Sequence, residues 1–306
     1  MVTQQSITTR AWAELGLLGL IWGASFLSIR VALDEIGPLT AVAHRTGWAM
    51  LVLWAFVALR RLPIPKDPQI WAGFLVMGLL NNVIPFSLMA WGQLHIETGL
   101  TSILNAATAV FGVLAAAIFF ADEKLTTRRL TGVLLGFAGV STAIGLEALR
   151  AFDLRSWGQL AVIAGTISYA LAGVWARKRL IGLPPQVAAA GMLTGATLMT
   201  VPLAYVFEGP ITLDLSARTW TAIAYYALMA TAIAYLLYYR VLAMAGSGNL
   251  MLCTLLVAPV AIVLGALVLG EALPLRAYAG FGLLALGLVT LDGRLLQRGK
   301  NRPGGA

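Results

Sequence analysis

The sequence predicts an all-α integral membrane protein: ten transmembrane helices, arranged as two inverted five-helix repeats around a central cavity. Three observations predict it. Apolar residues make up 59% of the chain and charged residues 11%, where a soluble domain carries about a quarter charged. The apolar residues fall in long runs, and a span needs about 20 of them. The second half of the chain also repeats a motif of the first.

The spans are expected at about 12–33, 38–60, 69–94, 98–120, 127–147, 156–176, 185–207, 217–243, 248–270 and 275–293. The first is too long for a signal-peptide core. It ends in Arg30, Asp34 and Glu35 with no small-residue cleavage site, so it reads as a retained span. Turn and charge signals separate the runs: IGP at 36–38, RRLPIPKDP at 60–68, ARKRLIGLPP at 176–185 and FEGP at 207–210. Helices are required because lipid offers no partner to an open backbone. The runs do not alternate as barrel strands would.

The formal charge of +8 sits in short clusters between the runs, which is a topology signal and excludes nucleic acid as the expected partner. With the N-terminus in the cytoplasm, that side collects Arg10, Arg60, Arg61, Lys66, Lys124, Arg128, Arg129, Arg177, Lys178, Arg179, Arg240, Arg294, Arg298, Lys300 and Arg302, which is 15 of the 21 basic residues. Both termini are therefore expected in the cytoplasm, with the chain in the inner (plasma) membrane. The lone cysteine, Cys253, lies in an apolar run and reads as a small buried side chain.

EKLTTRRLTGVLLGFAG at 123–139 and EALPLRAYAGFGLLALG at 271–287 share the pattern E-x-L-x-x-R-x-x-x-G-x-x-x-x-x-x-G. Glu123, Leu125, Arg128, Gly132 and Gly139 match Glu271, Leu273, Arg276, Gly280 and Gly287, and the same offset sets Trp91 against Tyr239. The halves are 1–150 (spans 1–5) and 151–306 (spans 6–10). Five spans per half is an odd number, so the second half enters the membrane with opposite polarity. Inverted repeats of this kind build transporters, with the site near the midplane between the halves.

The polar residues inside the spans are the candidates for that site. Asn81 and Asn82 lie about 18 Å into the third span, near the midplane. Pro85 removes the backbone hydrogen bond to Asn81 and kinks the helix, freeing a carbonyl toward a cavity. Asn105 lies in the fourth span. Trp22 and Tyr169 occupy corresponding places in the two halves, and Tyr226 belongs to the tyrosine-rich eighth span. Trp91 is a further aromatic candidate, since a small organic ligand wants an apolar wall and a few fixed polar groups. Arg45 lies about 10 Å deep in the second span, and a cation there needs a partner: a ligand carboxylate, Asp34, Glu35 or backbone carbonyls. Its neighbour His44 is a candidate for carrying a proton. Pro259 is expected to kink the ninth span.

Equally informative is what is missing. All 13 acids fall near span ends or in loops, so no carboxylate stands ready to couple transport to protons or sodium. No HExxH, paired mid-membrane aspartates or Ser/His/Asp constellation is present; neither an enzyme nor a metal site nor a cofactor is expected. The expected partners are a small-molecule substrate and the lipid bilayer, and a monomer is compatible with both. The glycine-rich fifth and tenth spans read as scaffold.

IWGASF at 21–26, PLTAVAHR at 38–45, NNVIPFSLMAWGQ at 81–93, SGNLML at 247–252, VAPVAIVLGALVLGE at 257–271 and the paired E-x-L motifs resemble the drug/metabolite transporter superfamily. Specifically, they are similar to its EamA-type ten-span transporters and, among those, to amino-acid and metabolite exporters. The resemblance implies two EamA-type repeats and export of small metabolites, amino acids first among them, by alternating access. Sugars, nucleosides, drugs and proton antiport are the alternatives it leaves, with a channel or a non-transporting scaffold behind them. One departure stands out: relatives often carry a proline in the fourth span as well as the ninth, and NAATAVFG at 105–112 has none.

Overall fold

The computed structural model describes residues 7–96, 98–269 and 274–292, and every regular element among them is helical. α1 (Thr9–Leu33) begins where the Thr8 side chain accepts from the backbone N–H of Ala11. α2 (Pro38–Leu59) begins on proline, whose missing N–H would be unpaired there anyway. The third run consists of α3 (Pro68–Gly78), a π-helical segment Leu79–Val83 and α4 (Ile84–Gly92). The fourth consists of α5 (Thr98–Ala106) and α6 (Thr108–Phe119). α7 (Thr127–Ile144) is followed by a 3-10 turn and then α8 (Trp157–Arg179) and α9 (Pro185–Glu208). The eighth run consists of α10 (Ala217–Ala224), a π-helical segment Tyr225–Ile233 and α11 (Ala234–Ala245). α12 (Ser247–Leu250), α13 (Cys253–Leu269) and α14 (Leu275–Asp292) complete the described chain.

Among the described residues, eight helices are long and apolar enough to cross a membrane. α7, whose first turn holds Arg128 and Arg129, is not among them, and α13 runs up to the end of a described stretch at Leu269. Glu271 and Leu273 of the second motif, and Arg294, Arg298, Lys300 and Arg302, lie outside the described residues.

Two runs are broken where no proline stands. The fourth breaks at Ala107 with no proline near, where the Ala107 N–H bonds the Leu104 carbonyl at 3.1 Å in a tightened i→i−3 turn. The ninth breaks at Met251–Leu252, upstream of Pro259, which sits inside α13. Pro85 acts as its chemistry requires. The i→i−4 ladder loosens to i→i−5 just before it, and the Ile84 N–H reaches the Leu79 carbonyl.

Lipid tails give helices no hydrophobic reason to associate, so small residues and close backbone contact do the work. α7 and α14 run antiparallel with the repeated glycines facing each other. A Cβ at Gly139 would lie 2.5 Å from Leu284 N, and one at Gly287 would lie 2.5 Å from Gly136 N. α2 and α9 are antiparallel too: the Thr46 and Thr200 hydroxyls bond at 3.0 Å, and Trp54 Nε1 donates to Thr194 Oγ1 at 2.7 Å. Gly19 and Gly23 face Leu256 and Val260 of α13, and Gly191 and Gly195 face Phe74 and Leu75 around α3.

Carboxylates close helix ends across the bundle. Glu208, at the end of α9, accepts from the N–H groups of Leu39 (2.8 Å) and Thr40 (2.7 Å) at the start of α2. Glu35, after α1, accepts from Ser216 N (2.9 Å), Ser216 Oγ (2.7 Å) and Thr219 Oγ1 at the start of α10. Those hydrogen bonds, the Thr219 hydroxyl first, hold the Glu35 carboxyl below its ordinary range.

Candidate functional site

Both π segments border one cavity in the middle of the bundle. The space within it is about 970 Å³, solvent at its mouth included. It reaches from Asn81, Tyr169 and Tyr235 to Ile29 and Gln93, toward the end of the bundle that holds the Glu35 and Glu208 caps.

Its wall is aromatic. Trp22 meets the Tyr235 ring edge-on at 6.4 Å and Tyr238 at 6.5 Å. Tyr235 and Tyr238 meet at 5.9 Å, and Phe86 meets Tyr169 at 6.4 Å. The π segments hold this wall in place, because their irregular ladders leave carbonyls for side chains to use. The Ala230 carbonyl accepts from Trp22 Nε1 at 2.9 Å, and the Leu80 carbonyl accepts from Ser168 Oγ at 2.7 Å, next to Tyr169. The carbonyl freed near Pro85 is thus that of Leu80 rather than that of Asn81.

Arg45 is the charged residue in the lining. It is 8% exposed. Its Nε donates to Thr231 Oγ1 at 2.8 Å and its Nη2 to the Ala230 carbonyl at 3.3 Å. Thr231 is free to accept because its own proton goes to the Tyr226 carbonyl at 2.7 Å. The guanidinium carbon stands 3.9 Å from the Phe86 ring centre, a cation–π contact. Among the described residues no carboxylate forms an ion pair with it. Asp34 and Glu35 are therefore not its partners; the backbone carbonyl is.

Of the candidates named from sequence, the fold brings Trp22, Arg45, Asn81, Asn105, Tyr169 and Tyr226 to the cavity. Asn82 is fully buried behind the wall, where its Oδ1 accepts from the Tyr235 hydroxyl at 2.6 Å. Asn81 Nδ2 reaches the Met192 sulfur at 3.6 Å. His44 and Trp91 lie away from the cavity. His44 Nδ1 accepts from Trp48 Nε1 at 3.2 Å, with Trp220 edge-on at 5.8 Å. Trp91, 39% exposed, lies against His95 at 4.1 Å. Side chains on one helix point a full circle around, so adjacent residues such as His44 and Arg45 face different neighbours. Tyr235, Tyr238, Phe86 and Cys253 also line the cavity. The tyrosine density of the eighth span was the available signal for the first two; nothing local marked Cys253.

A second polar centre lies at the other end of the bundle. Glu123, 2% exposed, holds five donors: Arg177 Nη1 (2.5 Å), Ser247 N (2.9 Å), Ser247 Oγ (3.2 Å), Gly248 N (2.9 Å) and Arg129 Nη2 (3.3 Å). Arg129 also donates to Asn249 Oδ1 at 3.1 Å. Arg177 pairs with Asp122 as well and holds that carboxyl below its ordinary range. Among the described residues no group of His, Cys, Asp and Glu could hold a metal ion.

The chain belongs to the EamA-like transporter family, whose model matches it twice, over residues 12–144 and 156–291. It is a multi-pass membrane protein of that family. It is similar to the "Probable terminal-alkyne amino-acid exporter" of Streptantibioticus cattleyicolor, with 27% identity over 95% of this chain and 96% of that protein. It is also similar to the "Uncharacterized transporter YoaV" of Bacillus subtilis, with 22% identity over 90% of this chain and 94% of that protein. A solved crystal structure shares the fold, with a TM-score of 0.78 at 17% identity over 96% of this chain and 99% of that one.

Proposed function

We propose that the protein is a ten-span carrier of two inverted halves that exports small metabolites, amino acids first among them, through the central cavity by alternating access. The single observation that carries this reading is the cavity: a mainly apolar chamber with six aromatic side chains in its wall and amide, hydroxyl and guanidinium groups among them.

The inverted repeat is supported by reciprocal packing. Gly132 and Gly139 match Gly280 and Gly287 in sequence, and Gly139 meets Gly280 while Gly132 meets Gly287. A twofold axis between antiparallel equivalents produces that exchange. The two π segments, Leu79–Val83 and Tyr225–Ile233, fall at matching places when the halves are offset by 148 residues, like Glu123 and Glu271. With both termini in the cytoplasm, Glu123, Arg129 and Arg177 close the inner end and the cavity extends outward, a shape suited to release. Outward direction and amino-acid substrates also draw on the exporter from Streptantibioticus cattleyicolor. No acidic residue lines the cavity among the described residues, and His44 stands outside it, so transport is uncoupled from protons.

Uptake into proteoliposomes of radiolabelled amino acids, sugars and cationic dyes, with and without a pH gradient, tests this. Saturable amino-acid flux that ignores the gradient is the expected result. Flux that scales linearly with concentration would make the protein a channel, and gradient-driven flux would make it a coupled antiporter.

A further inference from the structure

We infer that the cavity recognises its ligand through a carboxylate seated on Arg45, and that it offers no counter-charge to a positive group on the ligand. This rests on the transport reading above and names the substrate class: apolar or aromatic monocarboxylic acids, with the amino acid of the same skeleton as one member rather than the type.

A cation at bilayer depth is costly and demands compensation. Arg45 has only neutral acceptors, Thr231 Oγ1 and the Ala230 carbonyl. Ala230 shares its carbonyl with Trp22. A guanidinium has five N–H donors in a planar fork. Two are used by hydrogen bonds within the protein, and Nη1 has no protein partner among the described residues. Phe86 covers the face of the fork and leaves its edge for a planar acceptor. A carboxylate is the ligand group that matches such a fork and its charge.

The surrounding polar atoms agree. Among the described residues the hydroxyls of Tyr226, Tyr238 and Thr108 are buried at the cavity without a hydrogen-bond partner. All three can donate to a carboxylate and, being hydroxyls, can also accept, so the choice of charge rests on Arg45. Among the described residues the amide of Asn105, which also lines the cavity, makes no side-chain hydrogen bond. An ammonium group would find amide oxygens and aromatic faces but no counter-charge, and it would stand near the Arg45 cation. The aromatic wall meanwhile supplies burial for the rest of the molecule.

Three probes with one skeleton isolate the charged group: 3-phenylpropionate, L-phenylalanine and 2-phenylethylamine. Saturable flux of each into proteoliposomes is measured for wild type and for Arg45→Gln, with glucose as a neutral control and monodispersity checked for both. In wild type, 3-phenylpropionate should be carried at least as well as phenylalanine, and phenylethylamine at least tenfold less well. In Arg45→Gln, the ratio of acid to amine should fall toward one. Should the variant fail to fold, the wild-type series alone decides. Amine flux equal to acid flux, or phenylalanine carried while phenylpropionate is not, would overturn the inference and leave the transporter reading standing. Saturable glucose flux without any acid flux would do the same. Flux of none of the four would overturn both.

Discussion

The molecule buries charge in two places and treats it oppositely. Glu123 at one end of the bundle is surrounded by two guanidinium groups and the N-terminal N–H groups of α12. Arg45 at the cavity has a carbonyl, a hydroxyl and an aromatic ring. The first site balances its own charge, although Arg129 Nη1 is buried there without a partner among the described residues. The second is left one anion short. A buried ion whose partners are all inside the protein reads as scaffold, and one facing a cavity without its counter-ion reads as a ligand site.

The largest effect is expected at Glu123. Replacing it by alanine leaves Arg129 and Arg177 without their shared partner, and removing one side of a buried pair costs about 3–5 kcal/mol. Glu123→Ala should therefore show a large drop in Tm in detergent, whichever ligand is present. Arg45→Gln should lose tenfold or more in carboxylate flux, about 1.4 kcal/mol, with a smaller drop in Tm, because the Ala230 carbonyl keeps Trp22 and the Thr231 hydroxyl keeps the Tyr226 carbonyl. If Arg45→Gln were the less stable of the two, the contrast would reverse. Gly280→Val tests the scaffold elsewhere. The added atoms meet the α7 backbone, and overpacking costs about 1–3 kcal/mol, so Tm should fall while KM for the carried acid stays unchanged.

Smaller effects sharpen the picture. Tyr235→Phe removes the bond to Asn82, worth about 0.5–1.5 kcal/mol, and should raise KM several-fold by loosening the aromatic wall. Asp122 contributes least. Its carboxyl is held below the ordinary carboxylate value by Arg177, so its contribution is complete above that value and lost as pH falls through the lowered one. The Tm difference between wild type and Asp122→Asn should be present at neutral pH and vanish in strong acid.

Much of this was legible in the chain, for physical reasons that differ from residue to residue. Pro85 had to disturb its helix wherever it sat, so the break beside Asn81 and Asn82 follows from local covalent chemistry. The π segment at Tyr225–Ile233 carries no proline, and the break at Ala107 has none either; both come from tertiary packing that no local pattern encodes. Trp22 and Tyr169 were readable through the repeat. Asn82 was readable as polar at the midplane but not as a support for Tyr235, 153 residues away. The E-x-L-x-x-R motif was visible as a repeat. Its work as a cap on α12 depends on contacts 124 and 125 residues distant, which the motif does not reveal.

The most direct measurement is a structure of the purified protein with 3-(4-iodophenyl)propionate, read from the anomalous signal of iodine. The iodine should lie among Trp22, Tyr169 and Tyr235, with the carboxylate within hydrogen-bond distance of Arg45. Iodine seated outside the cavity, or a carboxylate turned away from Arg45, would show that the buried cation is scaffold like Glu123 and that the ligand is recognised by something else.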